Sequence, residues 1–224
     1  MANLLDDAAA MGSLVYQMSQ SDTDPLTAPG PWGAIEKGYC AGLVVRWAKL
    51  AYAGKDFPYV PADDSGTLGY FFGTDWQATV YQNKLGDHSR VASPQLDREQ
   101  RADYVLGLAQ MRLARDLRES GTGAANGERL TRVASKSYGC YYVSLVGDGA
   151  AHAIALRHSK PAAGESFGAI HVFDPNNGHF RWTRSVATWP TILTWFMTHS
   201  GYAGDYAKAY MIGRIVPSIN HDHA

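Results

Sequence analysis

The sequence is poor in cysteine, in long apolar runs and in excess charge of either sign, and each shortage removes a class of function. Its two cysteines, Cys40 and Cys140, are too few for a zinc site of the paired Cys-x-x-Cys kind. No stretch approaches the uninterrupted apolar length that a membrane span requires. Twenty Lys and Arg face 21 Asp and Glu, a formal charge of −1, so no electrostatic argument favours nucleic acid as a partner. Asp6 and Asp7 stand where a signal peptide would carry positive charge, so export by the general route is not expected. A specialised injection route leaves no signal in the residues. Without an oxidising compartment, the two thiols are expected to be free rather than bonded. No glycine-rich phosphate loop, repeat or low-complexity tract occurs, and no cofactor is expected.

What is present suits a globular domain: 46% hydrophobic and 18% charged residues over a length of 224 can bury a sizeable core. The chain divides into an N-terminal extension over 1–30, a domain over 31–217 and a tail over 218–224. In the extension, residues 4–18 predict a short amphipathic helix, and the three prolines of SQSDTDPLTAPGPWG predict a loop. GYCAGLVVRWAKLAYAG then predicts a helix from about Cys40 to Ala53. Val44, Trp47, Ala48 and Ala51 recur at helical spacing, and Gly54 acts as the stop. A second short helix is expected over 75–84 and a long one over about 96–119, while GTGAANGE reads as a connector. The character then changes. CYYVSLVG, AHAIALRH, GAIHVFD and HFRWT are strand-like runs between turn-forming stretches, residues 186–199 return to helix, and AYMIGRIVP predicts a last strand. Helices first and an antiparallel sheet second is an α+β order.

The chemistry lies where AHAIALRH and GAIHVFD meet. A simple hairpin across a loop of residues 159–167 would set His158 opposite Gly168 and His152 opposite Asp174. Side chains so opposed come within hydrogen-bonding reach. A His–Asp pair orients an imidazole to withdraw a proton from a nucleophile. Cys40 is the candidate nucleophile. It opens a helix, where free N–H groups and the macrodipole stabilise a thiolate. Gly38 leaves room for a substrate backbone beside the sulfur, and Trp32 and Tyr39 are further candidates for the cleft. Cys140 lies in a predicted strand with no helix terminus to activate it.

These motifs carry a resemblance. GYCAGL, AHAIAL and FDPNNGHFRW, in that order, are similar to the YopT/AvrPphB-type bacterial cysteine peptidases, a papain-like group of effectors, over roughly residues 34–216. The resemblance implies a papain-like fold, with a helical lobe that carries the nucleophile helix packed on an antiparallel sheet. It implies Cys40 as nucleophile, His152 as base and Asp174 as orienting acid. Pro175 and Asn176 fit the family's turn, and Gly178 and Phe180 its strand restart. It further implies a protease delivered by a bacterium into another cell to cut a specific host protein, a virulence role. One departure stands out. Papain-like enzymes usually carry Gln or Asn five or six residues before the nucleophile, as an oxyanion donor; here those positions are Ile35 and Ala34. The Cys40 amide, the Glu36–Tyr39 turn, Gln77 and Gln82 are the candidate donors instead.

Plainer readings exist for each residue. A free cysteine is most often a small buried group, and Asp-Pro-Asn-Asn-Gly is good turn chemistry with or without catalysis. The same triad also serves deamidation, transglutamination or amide hydrolysis in peptidoglycan, and a lapsed enzyme would serve as a binding module. His158, His171 and His179 read as structural or surface groups. The tryptophans Trp47, Trp182, Trp189 and Trp195 are core candidates, and His221, Asp222 and His223 read as a frayed terminus rather than a metal site.

Overall fold

In a computed structural model the described residues are 3–18, 40–55, 81, 84–85 and 97–218. The elements run α1 (Leu4–Ala10), β1 (Leu14–Gln17), α2 (Cys40–Tyr52), α3 (Arg98–Gly107), β2 (Met111–Thr122), α4 (Gly127–Ala134), β3 (Gly139–Val146), β4 (Ala151–His158), β5 (Ile170–Asp174), β6 (Gly178–Trp182), α5 (Trp189–His199), α6 (Tyr202–Asp205) and β7 (Ala209–Pro217). A single 3₁₀ turn, Val186–Thr188, leads into α5. The seven strands form one antiparallel sheet in the order β1-β6-β5-β4-β3-β7-β2. This is the α+β class expected from the sequence.

The central strands read as nearly continuous apolar runs because both faces of the sheet are covered. On one face, Leu43, Val44 and Trp47 of α2 and Val105 and Leu106 of α3 pack on Cys140, Tyr142, Ala153, Ala155 and Phe173. The alternation in AHAIALRH explains the fit. Ala153 and Ala155 lie under α2 and let the helix approach, while Ile154 and Leu156 fill the opposite layer. There Leu130 and Val133 of α4 and Trp189, Leu193 and Phe196 of α5 complete the second core. Each fully buried Leu or Ile adds about 1.5–3 kcal/mol to stability. Trp47 stacks on Phe173, ring centroids 5.4 Å apart, and fixes the rotation of α2 over the sheet. Helix α2 ends at Tyr52, and Gly54 follows in the left-handed region at φ 66°.

Three stretches differ from the sequence expectation. The helix expected over 4–18 ends at Ala10; Gly12, at φ 64°, turns the chain, and LVYQ adds β1 to the edge of β6. The long helix over about 96–119 is half helix and half strand. Helix α3 has a capping box at Asp97 and Gln100 and stops at Gly107, and residues Met111–Thr122 form an edge strand on β7. Leu113 and Leu117 are four apart, which suits a helix. They also suit this strand, because the ladder is interrupted between Leu113 and Arg118 and the alternation changes phase there. The connector GTGAANGE hides a helix start. Asn126 Oδ1 accepts from the Arg129 amide at 2.9 Å as the N-cap of α4, so Asn-Gly serves here as a cap rather than a hairpin turn.

The β4–β5 register is also displaced by two residues. His158 pairs with Ile170 and Ala155 with Phe173, so His152 is not directly opposite Asp174. Ser159 extends the hairpin: its amide donates to the Ala169 carbonyl at 2.9 Å and its Oγ accepts from the Ala169 amide at 3.1 Å. Gly168 is pressed against the Ser159 carbonyl, where a Cβ would collide. An even displacement keeps both side chains on the same face, which is why the error leaves the site intact.

Candidate active site

The second residue of β4, the last of β5 and the start of α2 lie at one end of the sheet, and α6 closes over it. Helix α6 comes this near because Gly147, in the β3–β4 turn, carries no side chain; a Cβ there would run into the Asp205 carbonyl. Cys40, His152 and Asp174 meet at this corner, with 8%, 3% and 0% of their surfaces exposed. His152 Nε2 lies 2.9 Å from Asp174 Oδ1. The thiol of Cys40 hydrogen-bonds the same ring. Since Asp174 holds Nε2, Nδ1 is the nitrogen left for the sulfur.

Asp174 is held from several sides. Oδ1 accepts from the Asn176 amide at 3.0 Å, an Asx turn that the D-P-N sequence favours. Oδ2 accepts from Asn177 Nδ2 at 2.6 Å. The Tyr202 hydroxyl lies 3.0 and 2.9 Å from the two oxygens and 3.1 Å from His152 Nε2. Tyr206 lies nearly parallel to the imidazole, centroids 5.8 Å apart, and forms a half-buried wall. Plain turn chemistry and a histidine partner thus coexist at Asp174.

The electrostatics follow from this packing. Burial works against a charged Cys40, yet the hydrogen bond and positive charge of His152, with the Ala153 and Ala41 amides, hold its pKa below the ordinary thiol value. Burial alone would also push His152 down; its bonds to Asp174 and Cys40 overcome this and hold it at about 10. Both shifts favour a thiolate beside an imidazolium, the form in which a cysteine is nucleophilic. At Cys140 the positive charge of Arg157 does not offset burial, which pushes the thiol up to about 12. Both cysteines are free thiols. Brief iodoacetamide labelling at about pH 6 is therefore expected to modify Cys40 on the order of a hundredfold faster than Cys140. Peptide mapping reads the ratio, and equal labelling that rises only at alkaline pH would remove the basis for an activated thiol.

Other candidates fall elsewhere. Trp32, Gly38, Tyr39, Gln77, Gln82 and the Glu36–Tyr39 turn lie outside the described residues. So do His221, Asp222 and His223, and nearly all of the helix expected over 75–84. His171 and His179 form a pair on the α2 side of the sheet, Nδ1 to Nε2 3.0 Å apart, next to Trp47. Burial, with positive neighbours, pushes them down to about 3 and about 4, so they are neutral packing groups at neutral pH. Among the described residues no three His, Cys, Asp or Glu side chains group to hold a metal ion. Tyr202 and Tyr206 were not legible in advance. They belong to no motif, and only the turn after α5 brings them to His152 and Asp174.

No family model matches the chain, and neither does any curated protein. A solved structure does: the crystal structure of the Pseudomonas avirulence protein AvrPphB. It has a TM-score of 0.57 and 18% identity, and the match spans 80% of this chain and 91% of that one. The two share a fold. The shared fold makes the papain-like architecture a finding rather than an expectation. At this identity it carries architecture alone. Among the described residues, no helix is long and apolar enough to cross a membrane.

Proposed function

We propose that this protein is a papain-like cysteine peptidase of the effector type, cutting a specific protein of another cell through Cys40, His152 and Asp174. The observation that supports this most is the contact order at the corner of the sheet: a helix-opening thiol on His152, and His152 on a buried carboxylate. The Cys40 thiolate attacks the scissile carbonyl, and charge gathers on the carbonyl oxygen. The Cys40 amide at the start of α2 is one donor for that oxygen, and the segment before it, with Gln77 and Gln82, supplies the candidates for a second. His152 gives its Nδ1 proton to the leaving amine as the C–N bond breaks, which leaves a thioester on Cys40. A water then loses a proton to His152 and attacks the thioester, and the C–S bond breaks to release the carboxylic acid and restore the Cys40 thiolate beside the protonated ring. Asp174 keeps Nε2–H pointed away from the sulfur throughout, so the ring presents Nδ1 to the chemistry. Trp32, Gly38 and Tyr39 precede the nucleophile and are the proposed walls of the substrate cleft.

The sequence likeness to the YopT/AvrPphB group and the shared fold with an avirulence protein favour delivery by a bacterium and a host protein as substrate. The test is incubation with a proteome-derived peptide library, followed by mass spectrometry of new termini. A single recurring cleavage motif is expected. Deamidated or cross-linked glutamines without new termini would transfer the triad to another acyl transfer. Stable complexes without any turnover would make this a binding module.

A further inference from the structure

The Tyr202 hydroxyl touches both oxygens of Asp174 and the Nε2 of His152 from an element that the triad does not otherwise need. The turn at Asp174 already gives each carboxylate oxygen a donor of its own, the Asn176 amide for Oδ1 and Asn177 Nδ2 for Oδ2. Tyr202 is thus surplus to the turn. It is 5% exposed, and its ring packs on Phe196, Tyr206 and the imidazole itself. Asn176 Nδ2 and Asn177 Nδ2 donate to its oxygen at 3.1 and 3.3 Å, which leaves the hydroxyl proton directed at the carboxylate. Burial and the adjacent Asp174 push the Tyr202 phenol far above its ordinary value, so it stays a donor at every working pH.

We propose that Tyr202 is a positioning residue of the Cys40–His152–Asp174 site, fixing the carboxylate plane against the imidazole and drawing off part of its charge. The inference rests on the triad reading above. A donor on Asp174 weakens the carboxylate's hold on the imidazolium, and so keeps His152 able to release its proton to a leaving group. Without that donor, Asp174 would bind the charged ring more tightly and in a less fixed plane. Among the described residues, the titratable groups that face this centre are Cys40 from α2, Tyr142 from β3, Asp174 from β5, Tyr202 from α6 and Tyr206 just beyond it, with Asp205 beside Tyr206.

Tyr202→Phe keeps the ring and removes the hydroxyl. The first readout is the pH profile of Cys40 alkylation by iodoacetamide, which needs no substrate. Relative to wild type, its alkaline inflection, set by His152, is expected to move up by roughly half a pH unit or more. On any peptide the wild type cuts, kcat should fall roughly tenfold with KM within about twofold, the scale of one hydrogen bond to a charged group. Placing 3,5-difluorotyrosine at position 202 strengthens the donor, and should move the alkaline inflection the other way in a protein whose packing is little changed. If neither substitution moves the inflections, Tyr202 is a packing residue and the proposal is overturned, whatever happens to the melting temperature. If the wild type cuts no peptide at all, the peptidase reading fails while the alkylation profiles still decide the role of Tyr202.

Discussion

His152→Ala is expected to remove peptide cleavage almost completely, by roughly four to six orders of magnitude in kcat. Two losses combine. The leaving amine loses its proton donor and the attacking water its base. The Cys40 thiol loses the hydrogen bond and the positive charge that outweigh burial, so its pKa should rise above the ordinary thiol range. Labelling of Cys40 at about pH 6 should then fall to the slow rate of Cys140. The fold should survive, because Asp174 retains Asn176, Asn177 and Tyr202 as donors and the deleted ring lies at the end of β4, outside the two apolar core clusters. Circular dichroism checks the fold, peptide mapping the thiol, and single-turnover assays the chemistry. A folded variant that cleaves at the wild-type rate would end the triad assignment.

The parts of this corner that the sequence makes legible are those fixed by local chemistry. Cys40 stands out because a helix begins there, and helical spacing of Val44, Trp47 and Ala48 is visible without any fold. His152 and Asp174 stand out because each is a charged or polar end to a strand of apolar residues. Their contact is legible for a subtler reason. Strand alternation depends on parity, so a register wrong by two residues still places both side chains on the same face. The bond itself runs diagonally rather than straight across. What sequence hides is whatever long-range pairing decides. Met111–Thr122 has the charges and leucines of a helix and becomes a strand because β7 offers an edge. The Asn126–Gly127 pair looks like a turn and caps a helix that packs on α5 and the sheet; a Cβ at Gly127 would collide with the Pro190 carbonyl. Tyr202 is the clearest case, since four residues of helix after Gly201 decide the surroundings of Asp174, and nothing local announces them.

Asp174→Ala is expected to damage both stability and activity, and the two effects separate with a second variant. The carboxylate is fully buried and accepts from the Asn176 amide, Asn177 Nδ2, the Tyr202 hydroxyl and His152 Nε2. Truncation leaves four donors, two buried and two half-buried, facing a void, a loss on the order of 3–5 kcal/mol. Turnover should fall by roughly four orders of magnitude, because the imidazole is no longer held with Nδ1 toward the sulfur. It also loses the partner that does most to overcome its burial, so its pKa falls and the thiolate–imidazolium pair gives way to two neutral groups. Asp174→Asn keeps the volume and one acceptor oxygen. Its melting temperature should recover most of the way toward wild type, while kcat stays close to that of the alanine variant, since a neutral amide cannot hold the imidazolium. Urea melts and cleavage assays on the two variants check this. If the asparagine variant recovered activity in step with its stability, Asp174 would act only through the turn it closes, and the site would reduce to Cys40 and His152.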